Sequence, residues 1–92
     1  MPGERKMTRF YITFGWGHIH YIEGKTLDKD SVAVLDMPTY DGARRKAFEL
    51  FGPVFGSVYT EKEWNERDLA QYFPRGLIGL LGCEVTKEQH DA

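Results

Sequence analysis

The sequence predicts an α+β fold: a four-stranded mixed sheet with one main helix packed on one face and a short second helix, in the order β-β-α-β-α-β. Three observations predict it. Residues 9–14 alternate with a period of two. Residues 31–37 are almost continuously apolar. Residues 40–51 carry an apolar stripe at helical spacing, and another β-rich run follows at once.

The order is built as follows. Residues 1–8 are polar around a Pro-Gly pair and form a loose lead-in. The first strand places Phe10, Ile12 and Phe14 on one face and Arg9, Tyr11 and Thr13 on the other. Gly15 and Gly17 bracket Trp16, as at a bulge, and leave the facing of His18 and His20 open. Residues 18–22 continue as a strand, residues 23–25 make a turn, and residues 26–30 form a polar loop or a short helical turn. The run 31–37 (SVAVLDM) fits a central strand covered on both faces.

Thr39 or Asp41 caps the main helix, whose buried stripe is Tyr40, Ala43, Ala47, Leu50 and Phe51. Gly52 supplies a left-handed stop and Pro53 blocks continuation. A strand over 54–59 follows, so strand, helix and strand are expected to form a right-handed crossover with parallel pairing. Thr60 and Glu63 have the spacing of a capping box and start a second helix over 61–70 that carries Trp64 beneath the domain. Residues 72–76 (YFPRG) turn the chain into a last strand over 77–85, and 86–92 are a polar tail. One domain over 9–85 accommodates all of this.

Composition narrows the function. With 92 residues the core is small, and thirteen aromatic side chains (six Phe, five Tyr, two Trp) compensate by filling it. The formal charge of −2 argues against a general nucleic-acid binder. The single cysteine, Cys83, suits a reducing compartment. No run reaches the roughly 20 apolar residues of a membrane span, and MPGERKMTR lacks the apolar centre of a signal peptide. The expectation is a cytoplasmic protein without membrane contact.

Several groupings bear on chemistry. His18 and His20 share a face on an extended chain and could chelate a divalent metal, with Glu23, Asp28, Asp30 or Asp36 as the third ligand. Two half-exposed histidines bonded to loop backbone are the plainer reading. Arg44, Arg45 and Lys46 could meet phosphate or nucleic acid, or form a solvated helix face. Gly15-Trp16-Gly17 lacks the third glycine and following helix of a nucleotide fingerprint. No nucleophile, base and orienting group can be assembled, so no catalytic residue is assigned and a non-enzymatic binding module is favoured. The alternative is a metal- or phosphate/nucleotide-ligand domain, hydrolytic in one version, that uses the His18/His20 strand end with a divalent metal as its cofactor.

One long helix is expected to leave part of the sheet uncovered. Trp16, Tyr21, Trp64, Tyr72 and Phe73, with Arg75 beside them, are therefore the candidate interaction residues for a protein partner or a second copy.

Three stretches, YITFGWGH (11–18), ARRKAFELFG (43–52) and YFPRGLI (72–78), resemble small accessory proteins encoded by phages of actinobacteria. That resemblance transfers no site residue. It implies a phage product acting inside a bacterium by binding a host or defence protein.

Overall fold

A computed structural model describes residues 7–83. The last strand, expected over 77–85, stops at Gly79, because Leu81 (φ +56°) and Gly82 (φ +81°) turn the chain there; residues 84–85, the tail 86–92 and residues 1–6 of the lead-in lie outside the described residues.

Four strands form the mixed sheet: β1 (Thr8–Ile12), β4 (Ser31–Met37), β5 (Val58–Thr60) and β6 (Gly76–Gly79), in the order β5-β1-β4-β6. β1 is antiparallel to both β4 and β5, and β4 pairs with β6 in parallel. A separate hairpin joins β2 (His20–Ile22) to β3 (Lys25–Leu27). The main helix α1 spans Tyr40–Phe51, as expected, and the second helix is α2, Glu61–Glu66.

The main helix forms for local reasons. The Thr39 hydroxyl accepts from the N–H of Gly42 at 3.0 Å, so Thr39 rather than Asp41 is the cap. At the far end Gly52 adopts φ +63° and its N–H donates to the Phe48 carbonyl. Ala43, Ala47 and Phe51 are buried, and Leu50 packs beside them. Tyr40 sits at the rim, with an edge contact to Phe10.

Several expectations about the elements are corrected. First, β4 and β5 run parallel, but β1 lies between them, so the strand-helix-strand unit is split and its strands do not pair. β1 precedes both in the chain and pairs with β4 over Thr8–Ile12 and with β5 over Phe10–Ile12. Second, residues 25–27 are a strand. Glu23 (φ +56°) and Gly24 (φ +76°) both take positive φ, the signature of a two-residue hairpin turn, which brings Lys25 opposite Ile22 and Leu27 opposite His20. Third, β5 begins at Val58, because residues 54–57 form a loop in which Gly56 comes close to Thr13: a Cβ at Gly56 would stand 3.1 Å from the Thr13 carbonyl oxygen. Fourth, α2 stops at Glu66. Asp68 then takes φ +51° and a short 3-10 turn, Leu69–Tyr72, follows.

Both sheet faces are covered. On one, Phe10, Ile12, Phe14, Ala33 and Leu35 pack against α1, with Leu27 and Leu80 buried in the same cluster. On the other, Tyr11, Val32 and Val34 meet Trp64, with Tyr59, Leu69, Phe73 and Leu77 around them. The capping box drives this second layer: Thr60 Oγ1 accepts from the Glu63 N–H and Glu63 Oε1 accepts from the Thr60 N–H, both at 3.1 Å. That fixes the helix start and sends Trp64 inward, 4 % exposed. The expectation that a single long helix leaves one face open therefore does not hold. No helix among the described residues is long and apolar enough to cross a membrane.

Candidate functional site

The chain gathers its most exposed aromatic at one end of the sheet. β1 ends there, and β4, β5 and β6 begin there, so the loops after β1 and before each of the other three converge. The Gly-Trp-Gly segment is a tight turn and not the expected bulge. The His18 N–H donates to the Gly15 carbonyl at 3.1 Å, and Gly17 takes φ +82° at the third position, the geometry that requires glycine in a type II turn. The Gly15 N–H donates to His18 Nδ1 at 2.8 Å. A Cβ at Gly15 would lie 3.3 Å from the His18 ring, so glycine is what admits the imidazole there. Trp16 occupies the corner and is 84 % exposed.

Beside it runs the turn of Asp28 to Ser31. The Asp30 N–H donates to Asp28 Oδ1 and the Asp28 N–H donates to the Ser31 hydroxyl, so side chains hold this turn rigid. Lys29 Nζ lies 4.5 Å from the Trp16 ring centroid and 3.1 Å from Asp30 Oδ1. Arg75 binds the same turn: its N–H donates to the Asp30 carbonyl at 2.8 Å, and its Nε stands 3.7 Å from Asp28 Oδ1. The turn at 28–31 is thus common to Trp16 and Arg75, two residues 59 positions apart in the chain. Sequence reasoning omitted Asp28, Lys29 and Asp30 from this grouping. Their contacts are long-range, and the only local sign of them is the Asp-Lys-Asp turn composition.

The other interaction candidates divide. Tyr21 is 76 % exposed on the outer face of the hairpin, and Tyr72 is 63 % exposed. Phe73 is half-buried, its ring 5.7 Å from that of Trp64. Trp64 itself belongs to the second core layer, stacked on Tyr11 with centroids 4.5 Å apart.

His18 and His20 point to different partners. His18 uses Nδ1 for the Gly15 N–H, whereas His20 donates from Nε2 to the Val54 carbonyl at 2.7 Å and packs against both Phe14 and Phe51. Among the described residues, no three His, Cys, Asp or Glu side chains gather in a way that could hold a metal ion. In the basic run Lys46 pairs with Glu49 at 2.6 Å, and Arg44 lies against the Phe48 ring at 5.8 Å. Arg45 is exposed.

Cys83 is half-buried near Arg9 and Asp36, which are themselves 3.2 Å apart across β1 and β4. Burial pushes its thiol up to about 11, and a hydrogen bond to Asp36 adds to the rise. A raised value means the folded chain favours the protonated thiol, which is not a nucleophile. Alkylation by iodoacetamide at pH 8 is expected to run at least about tenfold slower than for a small free thiol. The rate should keep climbing toward pH 11 rather than level off near 9. A rate equal to that of the unfolded chain would show that the thiol is not held by this environment.

Comparison with known proteins returns no match, whether to a protein family, to a curated protein or to a solved structure.

Proposed function

We propose that this chain is a small non-enzymatic binding module, a phage accessory protein that works in the bacterial cytoplasm by engaging a host or defence protein. The observation that supports this reading is Trp16. A tryptophan held 84 % exposed at the corner of a glycine-locked turn costs solvation that a purely structural role would not require. The corner is pre-organised, so little conformational entropy is lost when a partner covers it. Lys29 over its ring and Arg75 on the adjoining turn add a polar border around an aromatic anchor, the composition in which binding energy concentrates.

Trp16→Ala and Arg75→Ala are each expected to weaken partner binding by about 1 kcal/mol or more, roughly fivefold in Kd. Neither should move the unfolding midpoint by more than about 0.5 kcal/mol, since both side chains are exposed. The partner is first purified from bacterial lysate with the wild-type chain, and the variants are then titrated against it by calorimetry. Light scattering reports whether the partner is a second copy. Wild-type affinity in both variants would move the binding surface elsewhere.

A further inference from the structure

The two edges of the sheet are treated differently. The β6 edge is closed by the hairpin: Lys25 Nζ donates to the Gly79 carbonyl at 2.7 Å, and the Leu81 N–H donates to Glu23 Oε2 at 3.0 Å. The β5 edge is not. In an antiparallel pair, successive residues turn their backbone groups alternately toward and away from the partner strand. The Thr13 N–H donates to the Ser57 carbonyl, so Ser57 and Tyr59 face β1, while Val58 and Thr60 face away. The Thr60 N–H is taken by Glu63. The N–H and C=O of Val58 therefore point out of the sheet, with no hydrogen-bond partner among the described residues.

They open into a cleft of about 400 Å³ bounded by α1, β5 and the start of α2, with Tyr40 and Arg44 on one side and Glu63 on the other. The Glu63 carboxylate is committed to the capping box. Arg44 has no carboxylate partner among the described residues; its guanidinium only rests against Phe48. The unspent groups along the cleft thus include one outward backbone donor, one backbone acceptor and one cation.

We infer that the β5 edge takes an extended peptide segment of another protein by strand addition, with an acidic side chain of that segment paired to Arg44. Strand addition draws its affinity from main-chain hydrogen bonds and its selectivity from side chains at alternate positions. An edge of three residues is far short of the roughly 1,600 Å² that a stable interface between two folded copies buries, which favours a linear segment over a second copy of this chain. Trp16, Lys29 and Arg75 do not line this cleft.

The test uses three capped synthetic hexapeptides of alternating Thr and Val: one with a central Glu, one with a central Lys, and the Glu peptide methylated at alternate backbone nitrogens. Amide NMR shifts of the full chain report where each one binds. The Glu peptide is expected to shift residues 57–60 and to bind at least about tenfold tighter than the Lys peptide. Arg44→Glu, an exposed substitution, is expected to reverse that preference, and the methylated peptide is expected not to bind. Trp16→Ala should leave all of this unchanged, so failure of the proposed partner surface and failure of this one are distinguishable. Several outcomes would overturn the inference: equal affinity for the Glu and Lys peptides, undiminished binding of the methylated one, shifts confined to residues 15–18, or no binding at millimolar peptide. Dimerisation of the chain through β5 would overturn it in favour of a second copy.

Discussion

Trp64→Ala is expected to cost about 3–5 kcal/mol, the range for emptying an aromatic site in a core. The indole lies at the centre of the second layer, stacked on Tyr11 at 4.5 Å, 5.7 Å from Phe73 and 6.3 Å from Tyr59. Removing it takes away the shared partner of three rings as well as its own buried area. The surrounding groups cannot readily close the gap, because Tyr11 is fixed on a central strand and Phe73 sits at the head of the turn into β6. Small domains have total stabilities of about 5–15 kcal/mol, so the loss is a large fraction of the whole. Urea denaturation followed by circular dichroism measures it. Trp64→Phe keeps a ring in the site and should recover part of the loss. A cost near that of an exposed aromatic would mean that the face of the sheet opposite α1 does not depend on α2.

That layer also shows what a sequence read alone reveals and conceals. The capping box at Thr60 and Glu63 is a local signal, and it correctly marked the start of α2. Which sheet face Trp64 would reach depends on β1 being inserted between β4 and β5, and no local signal reports an insertion of that kind. Tyr11 and Val34 are the surfaces the indole meets, yet they lie 53 and 30 residues away in the chain. The main helix was legible almost to the residue, since its cap, its alanine stripe and its Gly-Pro stop are all contained within it. The hairpin was half legible. Glu23-Gly24 was readable as a turn, but Lys25-Thr-Leu27 is too short and too polar to announce itself as a strand, and only its pairing with His20 to Ile22 makes it one. At the candidate site, Trp16 is exposed as expected, but because it sits at the corner of the Gly15–His18 turn and not because a sheet face is left open. Its companion Lys29 was not legible, because a cation placed over an indole depends on two loops meeting in space.

Ala47→Leu is expected to destabilise the domain by about 1–3 kcal/mol, through overpacking. Ala47 is fully buried in the middle of the α1 stripe, between Ala43 one turn before and Phe51 one turn after. Ala43 is also fully buried, so α1 approaches the sheet most closely along this pair of small side chains, where Phe10, Ile12 and Leu35 already fill the space. Leucine is an excellent helix former, and at an exposed site the exchange would be nearly neutral. The sign of the effect therefore reports packing and not propensity. The added carbons must either tilt α1 away from β1 and β4 or drive Phe51 off its edge contact with Phe14, whose ring centroids are 5.0 Å apart. Phe51 also supports the His20 ring, which holds the Val54 carbonyl, so a shift there should loosen the tie between the hairpin and the loop before β5. Two measurements check this: the midpoint of thermal unfolding, and amide hydrogen exchange over residues 54–57. A lower midpoint with faster exchange in that loop is the expected result. A midpoint equal to the wild type would show that the Ala43–Ala47 face of the helix has room to spare and that the close approach of α1 to the sheet is not what holds this layer together.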